Sequence, residues 1–207
     1  MKRDLISSLL GIVVLTAILG LAYPLVVTGI AQVAWPNKAD GSLIEHDGKV
    51  VGSKLLAQPF VIDTGSKDAE GNPITKPDPK YFQPRPSQSS YNPAGTFFSN
   101  RGPNQKEAKA FYSDQLSAYL ALEKPYDPGL TAQRVPIDAV TTSGSGVDPH
   151  ISQANAEIQA HRVAEARRLP LAQVKKLIDQ NTDGRGLGVL GEPGVNVTTL
   201  NLALDGR

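Results

Sequence analysis

Between Asp4 and Lys38 the chain carries no charged side chain, and the middle of that stretch, LLGIVVLTAILGLAYPLVVTGI (Leu9–Ile30), is apolar almost throughout. At about 1.5 Å of rise per residue, ~20 helical residues cover the roughly 30 Å of bilayer hydrocarbon, so this run is long enough to span a membrane with some tilt. A cleaved signal peptide is the rival reading, but its apolar region is commonly only about 7 to 15 residues and ends in a small-x-small site. Here the run is longer, and AQVAWP offers no good site. The expected organisation is therefore an N-terminus at 1–8, a transmembrane helix at 9–33 and one soluble domain at 34–207. Trp35 suits the membrane boundary, and Pro36 stops the helix.

Orientation follows from the flanking charges. Lys2 and Arg3 precede the helix, whereas NKADGSLIEHDGK after it mixes both signs. The lysine and arginine bias of short loops puts the N-terminus in the cytoplasm and the soluble domain outside. Ser7 with Gly11, and Thr16 with Gly20, are small residues at i, i+4, a spacing that suits either close packing on a partner helix or a lipid-facing anchor. Pro24 removes one helical hydrogen bond and is expected to kink the span.

Composition narrows the chemistry. A formal net charge of +1 leaves no electrostatic footprint for nucleic acid. The absence of cysteine excludes disulfides, thiolate zinc sites and cysteine nucleophiles. With 19 glycines and 16 prolines the soluble part should be loop-rich.

Along that part, KVVGSKLLAQPFVI reads as one or two short strands. Asp63–Lys80 has turn residues throughout, and 62–80 is expected to be a mobile loop insertion. The prolines of PKYFQPRPSQSSYNPAG exclude helix and central strand. Its Tyr81, Phe82 and Tyr91 either clamp the segment onto the domain or line a carbohydrate or peptide groove. From Asn104 to Glu123, apolar residues recur at helical steps (Ala108, Phe111, Tyr112, Leu116, Tyr119, Leu120). RVPIDAVTTS alternates Val135, Ile137 and Val140 like a short strand. Ser152 is a candidate N-cap for a helix through AEIQAHRVAEARR, whose apolar face is not clean, so Gln159, His161 and Arg162 are placed near an interface. Pro170 opens a clearer helix with Leu171, Val174, Leu177 and Ile178 in one stripe and a stop at Gly184. VNVTTLNLAL alternates and reads as a terminal strand. The fold class is α+β: one transmembrane helix, then a single soluble domain with about three helices and a small sheet.

Four motifs invite chemistry. GLGVLG (Gly186–Gly191) matches GxGxxG, but a dinucleotide site needs a strand before and a helix after, and here the order is reversed. It reads as a glycine-rich turn into the last strand. TTSGSGVDPHIS (Thr141–Ser152) could hold a Ser145, His150 and Asp148 triad, yet the GxSxG elbow spacing is missing. Asp148, His150 and His161 have zinc-compatible ligand types without same-face spacing. Asn196 in NVT fits a glycosylation acceptor. Two readings of TTSGSGVDPHIS remain: a capping turn, or an anion-binding concavity of glycine and serine amides. Ser143, Gly144, Ser145, Gly146, Asp148 and His150 are the candidate contacts for a partner or a phosphate; no catalytic or metal residue is assigned.

Eight segments taken together carry a resemblance: YPLVVTGIAQVAWP, ADGSLI, VVGSKLLAQPF, PKYFQPRPS, YNPAG with SNRGP, VPIDAVTTSGSGVDPHIS, HRVAEARRL and TDGRGLGVLGEPGVNVTTLNLALD. In this order, and over nearly the whole chain, they resemble the KdpC family, the small subunit of the high-affinity potassium-transporting P-type ATPase of bacteria and archaea. The chain departs from that family's pattern where Val61–Lys76 intervenes before the PxYF segment, at Gly194, where arginine often stands, and at Thr96, Phe97 and Phe98, where small residues are usual.

The resemblance implies a single-pass, non-catalytic subunit. Its implied partners are a potassium-channel-like subunit, an ATP-hydrolysing P-type subunit and a small membrane peptide. It further implies a chaperone that raises the ATP affinity of the hydrolysing subunit, with no tightly bound cofactor of its own, ATP being shared if it binds at all. ATP is cytoplasmic and the charge bias puts the domain outside, so either the effect on ATP is conformational, through packed membrane helices, or the charge bias misleads. Two readings from other classes stand beside it: a membrane-tethered hydrolase using Ser145 and His150, and a binding module using Tyr81, Phe82 and Tyr91.

Overall fold

The uncharged N-terminal run is one continuous helix, Lys2–Ala34, long and apolar enough to cross a membrane. The computed structural model, which describes residues 1–95 and 100–206, divides it into α1 (Lys2–Leu15), a π-helical stretch at Thr16–Ala22 and α2 (Tyr23–Ala34). Pro24 accounts for the middle piece. It has no N–H to give to the carbonyl one turn back, and the preceding turns widen, with Tyr23 N–H reaching Ile18 O. The expected kink is thus a change of helical pitch. At Trp35, φ −145° and ψ 61° break the helix before the short α3 (Pro36–Ala39). The contact pattern separates the chain into two units, Met1–Ile44 and Glu45–Arg207, with the division falling inside β1 (Leu43–His46). The departure at Thr96, Phe97 and Phe98 lies outside the described residues.

The second unit opens with β2 (Lys49–Ser53). The next two stretches differ in secondary structure from what their sequence suggests. The region read as a mobile loop contains a hairpin, β3 (Val61–Lys67) paired antiparallel with β4 (Pro73–Pro77), Ile62 opposite Lys76. Its turn is built by the Asp68 carboxylate, which accepts from the amides of Glu70 at 3.0 Å and Asn72 at 2.8 Å, with Gly71 at φ +86°. Every residue of both strands is exposed, so no alternation of apolar and polar residues announced them. After α4 (Lys106–Glu123), no strand forms at Val135–Val140: two 3-10 turns, Ala132–Arg134 and Ile137–Ala139, stand on either side of Val135 and Pro136. A proline in that place removes a ladder donor.

The core lies between β5 (His150–Ile151), α5 (Gln153–Arg167), α6 (Leu171–Gln180), β6 (Thr182–Asp183) and β7 (Gly194–Asn196). The sheet order is β5–β7–β6, antiparallel throughout, with Ile151 and Thr182 both opposite Val195. Residues 197–204, read as the end of a strand, form α7 (Val197–Leu204). The Asn196 side chain caps it by accepting from Thr199 N–H at 3.1 Å, and a helix puts Val197, Leu200 and Asn201 on one buried face. Phe82, Ile151, Ala160, Val163, Val174, Ile178, Val195 and Leu200 form the apolar centre. Ser152 is the N-cap of α5 as expected, accepting from Asn155 N–H at 3.1 Å. At the other end Arg168 turns left-handed at φ +57°. The helix before Gly184 ends earlier than expected, at Gln180, because Thr182 and Asp183 join the sheet.

Of the polar residues that blurred the pattern of α5, Gln159 and Arg162 are buried and His161 is exposed; Asn155 on the same helix is buried as well. Asn155, Gln159 and Arg162 have 1%, 1% and 0% of their surface exposed. The helix is therefore covered on two faces, one apolar through Ala156, Ala160, Val163 and Ala164 and one polar. A single-stripe pattern describes a helix buried on one side only.

Candidate functional site

The Thr141–Ser152 loop enters from a 3-10 turn and leaves through β5 into α5, and polar contacts fix it on every side. Gly146 sits at φ +75°, and its carbonyl accepts from Ser87 Oγ at 2.6 Å. A Cβ there would come 2.7 Å from Ser89 Oγ, so only glycine fits the turn. The Arg85 guanidinium donates to Thr142 O at 3.0 Å and to Thr141 Oγ1 at 3.2 Å. Ala57 N–H reaches Val147 O at 2.8 Å. At the exit, Asp138 takes Ser152 N–H at 2.9 Å, Ser152 Oγ–H at 2.8 Å and Asn155 Nδ2–H at 3.0 Å.

Inside the loop the amides are largely used by its own side chains. Ser143 Oγ accepts from Gly146 N–H at 3.0 Å, Ser145 Oγ from Val147 N–H at 3.2 Å, and Asp148 Oδ1 from His150 N–H at 2.9 Å. Gly144 is exposed, with nothing within 4 Å of where a Cβ would stand. The loop thus presents a braced outer turn.

His150 is held between two carboxylates: Nδ1 lies 3.3 Å from Asp148 Oδ1, and Nε2 lies 2.9 Å from Asp183 Oδ2 on β6. The hydrogen bond with Asp148, then that with Asp183, raises the imidazole's pKa against an opposing effect of burial. Conversely, Asp148 is lowered, first by its bond with the His150 ring. Both ring nitrogens are turned to carboxylates and neither is directed at Ser145, whose Oγ instead accepts from Val147 N–H. Gly194 makes room for the ring, since a Cβ at 194 would lie 3.2 Å from His150 Cβ and 3.3 Å from Cδ2. His161 belongs to another cleft, with Asp127, Arg134, Glu157 and Lys175. Asn196 is 5% exposed and donates to Lys54 O at 2.8 Å, which removes it as an accessible glycosylation acceptor.

The PKYFQPR stretch is clamped to the domain. Phe82 is fully buried, and Tyr81 stacks on Phe60 at 5.4 Å with its hydroxyl 3.0 Å from Asp205. Tyr91 donates to Arg85 O at 2.9 Å, and burial pushes its pKa up to about 12. Beside Tyr91, Pro84, Pro86 and Tyr119 contribute to a cleft of about 170 Å³.

Sequence reasoning missed how that clamp works. Asn201 on α7 accepts Phe82 N–H at 2.9 Å and donates to Phe82 O at 2.9 Å. Gln159 accepts Gln83 N–H at 2.7 Å and donates to Gln83 O at 3.1 Å. Arg162 donates to Pro79 O at 2.8 Å, Tyr81 O at 2.9 Å and Glu123 Oε1 at 2.9 Å. Burial raises the pKa of Glu123 against the pull of that guanidinium. The one available signal was the helical placement of Asn155, Gln159 and Arg162 on a common face.

A family model described as KdpC: K+-transporting ATPase, c chain, matches residues 5–206. The chain is 43% identical over 208 residues to the potassium-transporting ATPase KdpC subunit of Mycobacterium tuberculosis, covering 99% of both. It is 45% identical over 207 residues to the same-named protein of Sorangium cellulosum, covering 100% of this chain and 99% of that one. For Methylococcus capsulatus the identity is 45% over 201 residues, covering 96% and 95%. The match runs from the apolar helix through the braced loop to α7, and the chain belongs to the KdpC family.

Proposed function

We propose that this chain is the small, non-catalytic subunit of an ATP-driven, high-affinity potassium-uptake complex in the cell membrane. The observation that carries the reading is collinear coverage: proteins named potassium-transporting ATPase KdpC subunit are matched over 95% to 99% of their length. In this reading residues 9–33 span the membrane, the N-terminus is cytoplasmic and 34–207 lie outside. The partners are a potassium-channel-like subunit, a P-type ATPase subunit and a small membrane peptide.

The chain acts as a chaperone that raises the ATP affinity of the hydrolysing subunit. With the domain outside and ATP inside, the coupling runs through the membrane helices. Two features support that route. The span has 0% of its apolar window buried within this chain, so its whole surface is available to lipid and partner helices. A Cβ at Gly11 would meet nothing within 4 Å, which leaves a flat place for another helix to approach. The braced turn around Ser143, Gly144 and Ser145 is the proposed partner contact of the domain.

Co-expression with the channel-like and hydrolysing subunits tests this. The three should co-purify, and omitting this chain should weaken ATP binding by the hydrolysing subunit; unchanged ATP affinity would discard the chaperone role. Asp68→Cys, in a chain with no other cysteine, should react with a membrane-impermeant thiol reagent in intact cells. Protection of that thiol would reverse the topology.

A further inference from the structure

One buried side-chain oxygen has no hydrogen-bond partner among the described residues: Oε2 of Glu123, at the end of α4. Glu123 is 1% exposed and stands in the lining of the cleft of about 170 Å³ beside Tyr91. Its other oxygen takes Arg162 Nε–H at 2.9 Å, and the rest of that guanidinium is given to Pro79 O, Tyr81 O and Gln159 Oε1. A carboxylate oxygen left bare in the interior carries a desolvation penalty that a bound donor removes.

The buried donors around the cleft are engaged with the protein itself. Gln159 Nε2 gives to Gln83 O at 3.1 Å and to Asn155 Oδ1 at 3.0 Å. The Tyr119 hydroxyl gives to Asn155 Oδ1 at 2.8 Å, and that of Tyr91 to Arg85 O at 2.9 Å. What the lining has to spare is an acceptor, so it favours a ligand that brings its own N–H.

Charge points the same way. Asp138, next to Ala139 of the lining, is met by the neutral Ser152 and Asn155. Two carboxylates therefore stand against one guanidinium around Tyr119. Burial, then the charge of Glu123, raises the pKa of that phenol; Arg162 opposes them and Asp138 adds to them.

We propose that this cleft is a binding site for a small organic cation, a protonated amine or guanidinium on an apolar stem, with its N–H group at Glu123 and its stem among Pro84, Pro86, Tyr91 and Tyr119. Size limits the stem to about one ring, since a cavity of about 150 Å³ takes one benzene. The site depends on Glu123 and its neighbours alone, apart from the reading of the chain as a transport subunit.

Benzylammonium, benzyl alcohol and benzoate share a ring and differ in charge. Each is titrated onto the full chain in lipid nanodiscs, with the side-chain amide signals of Asn155 and Gln159 followed by NMR. Benzylammonium should move both saturably, about tenfold or more tighter than benzyl alcohol, and benzoate should move neither. Equal affinities overturn the proposal. So does the absence of a saturable shift with benzylammonium, the result expected if a fixed water already meets Oε2.

Two variants locate the ligand. Ala118, exposed on α4, also lines the cleft, and Ala118→Phe fills it while leaving Glu123 in place. With thermal unfolding unchanged, it should abolish the benzylammonium shifts; unaltered binding overturns the proposal. Glu123→Gln keeps an oxygen for Arg162 and turns an amide N–H toward the cleft, so preference should pass from benzylammonium to benzyl alcohol. Retained preference for the cation overturns it, and should this variant fail to fold, Ala118→Phe and the comparison of the three ligands decide.

The cation has two possible sources, a free solute or a basic side chain of a partner. In the complex with the channel-like and hydrolysing subunits, undiminished benzylammonium binding assigns the site to a free solute. Blocked binding together with weaker assembly of Ala118→Phe assigns it to a lysine or arginine of a partner. Blocked binding with unchanged assembly overturns the proposal.

Discussion

Two irregular segments of the domain are held by polar side chains, and they are held differently. The Pro79–Gln83 strap is gripped by Asn201, Gln159 and Arg162, which have 1%, 1% and 0% of their surface exposed. The Ser143–His150 loop has one buried brace, Ser143 at 6% exposed, and is otherwise held by half-exposed Ser87, Ser145 and Arg85 and by a histidine whose partner Asp183 has 74% of its side chain exposed. Buried grips exclude competing water, so each bond there is costly to lose. Half-exposed ones trade with solvent and are individually weak. The difference teaches where the domain is rigid by necessity and where it is only biased. The strap underlies the core, while most of the loop's braces lie nearer the surface.

The largest expected effect tests the strap. Arg162→Met leaves the Glu123 carboxylate, 1% exposed, without its cation, takes the guanidinium donor from Pro79 O, and leaves Tyr81 O only the longer bond from Gln83 Nε2 at 3.3 Å. It should cost about 3–5 kcal/mol in chemical unfolding of the full chain followed by circular dichroism. Adding Glu123→Leu removes the stranded charge but does not restore the donor to Pro79 O, so the double variant should recover only part. Full recovery would mean that the ion pair, not the grip on the strap, matters. Next comes Asn201→Ala, which leaves the Phe82 N–H and carbonyl unpaired in the core and should cost about 2–4 kcal/mol by the same measurement.

The loop should answer more softly. Gly146→Ala, at φ +75° and 2.7 Å from Ser89 Oγ, should cost about 1–3 kcal/mol, felt as faster amide exchange between residues 143 and 148. A cost matching that of Arg162→Met would erase the distinction between the two segments.

The smallest effect carries a pH signature. The pKa of His150 is raised, so its contribution is complete below the ordinary value of 6.5 and is lost as pH climbs through the raised value. That of Asp148 is lowered, so its contribution holds above the ordinary 3.8 and fades only as pH falls through the depressed value. Between those limits the histidine bridge is strongest. Asp183→Asn should lower the imidazole's titration midpoint, read by NMR, and cost under about 1 kcal/mol after screening at the surface. An unmoved midpoint would show that Asp183 does not hold the ring.

The membrane helix, α4, α6 and the Ser152 cap were legible because each rests on a local rule: apolar length, a single stripe, or a side chain reaching its own helix. The terminal strand was misread because Leu200, Leu202 and Leu204 alternate, whereas α7 uses Leu200 with Val197 and Asn201, and the register is decided by the Asn196 cap. The β3–β4 hairpin left no pattern because neither strand buries a face. The candidate loop was found from composition, yet its braces were not: Arg85, Ser87, Asp138 and Asp183 are remote in sequence and ordinary in type. Long-range polar pairing has no periodicity to read.

The two amide grips have a consequence for which substitutions the domain tolerates. Asn201 and Gln159 each meet a main-chain N–H with an oxygen and a main-chain carbonyl with a nitrogen. What they recognise is the main-chain N–H and C=O of one residue, whatever its side chain, proline excepted. The tolerance runs one way. Aspartate at 201 or glutamate at 159 would fill the same volume and still turn an oxygen toward a carbonyl oxygen. At these two positions size is no guide to equivalence; the parity of donor and acceptor decides.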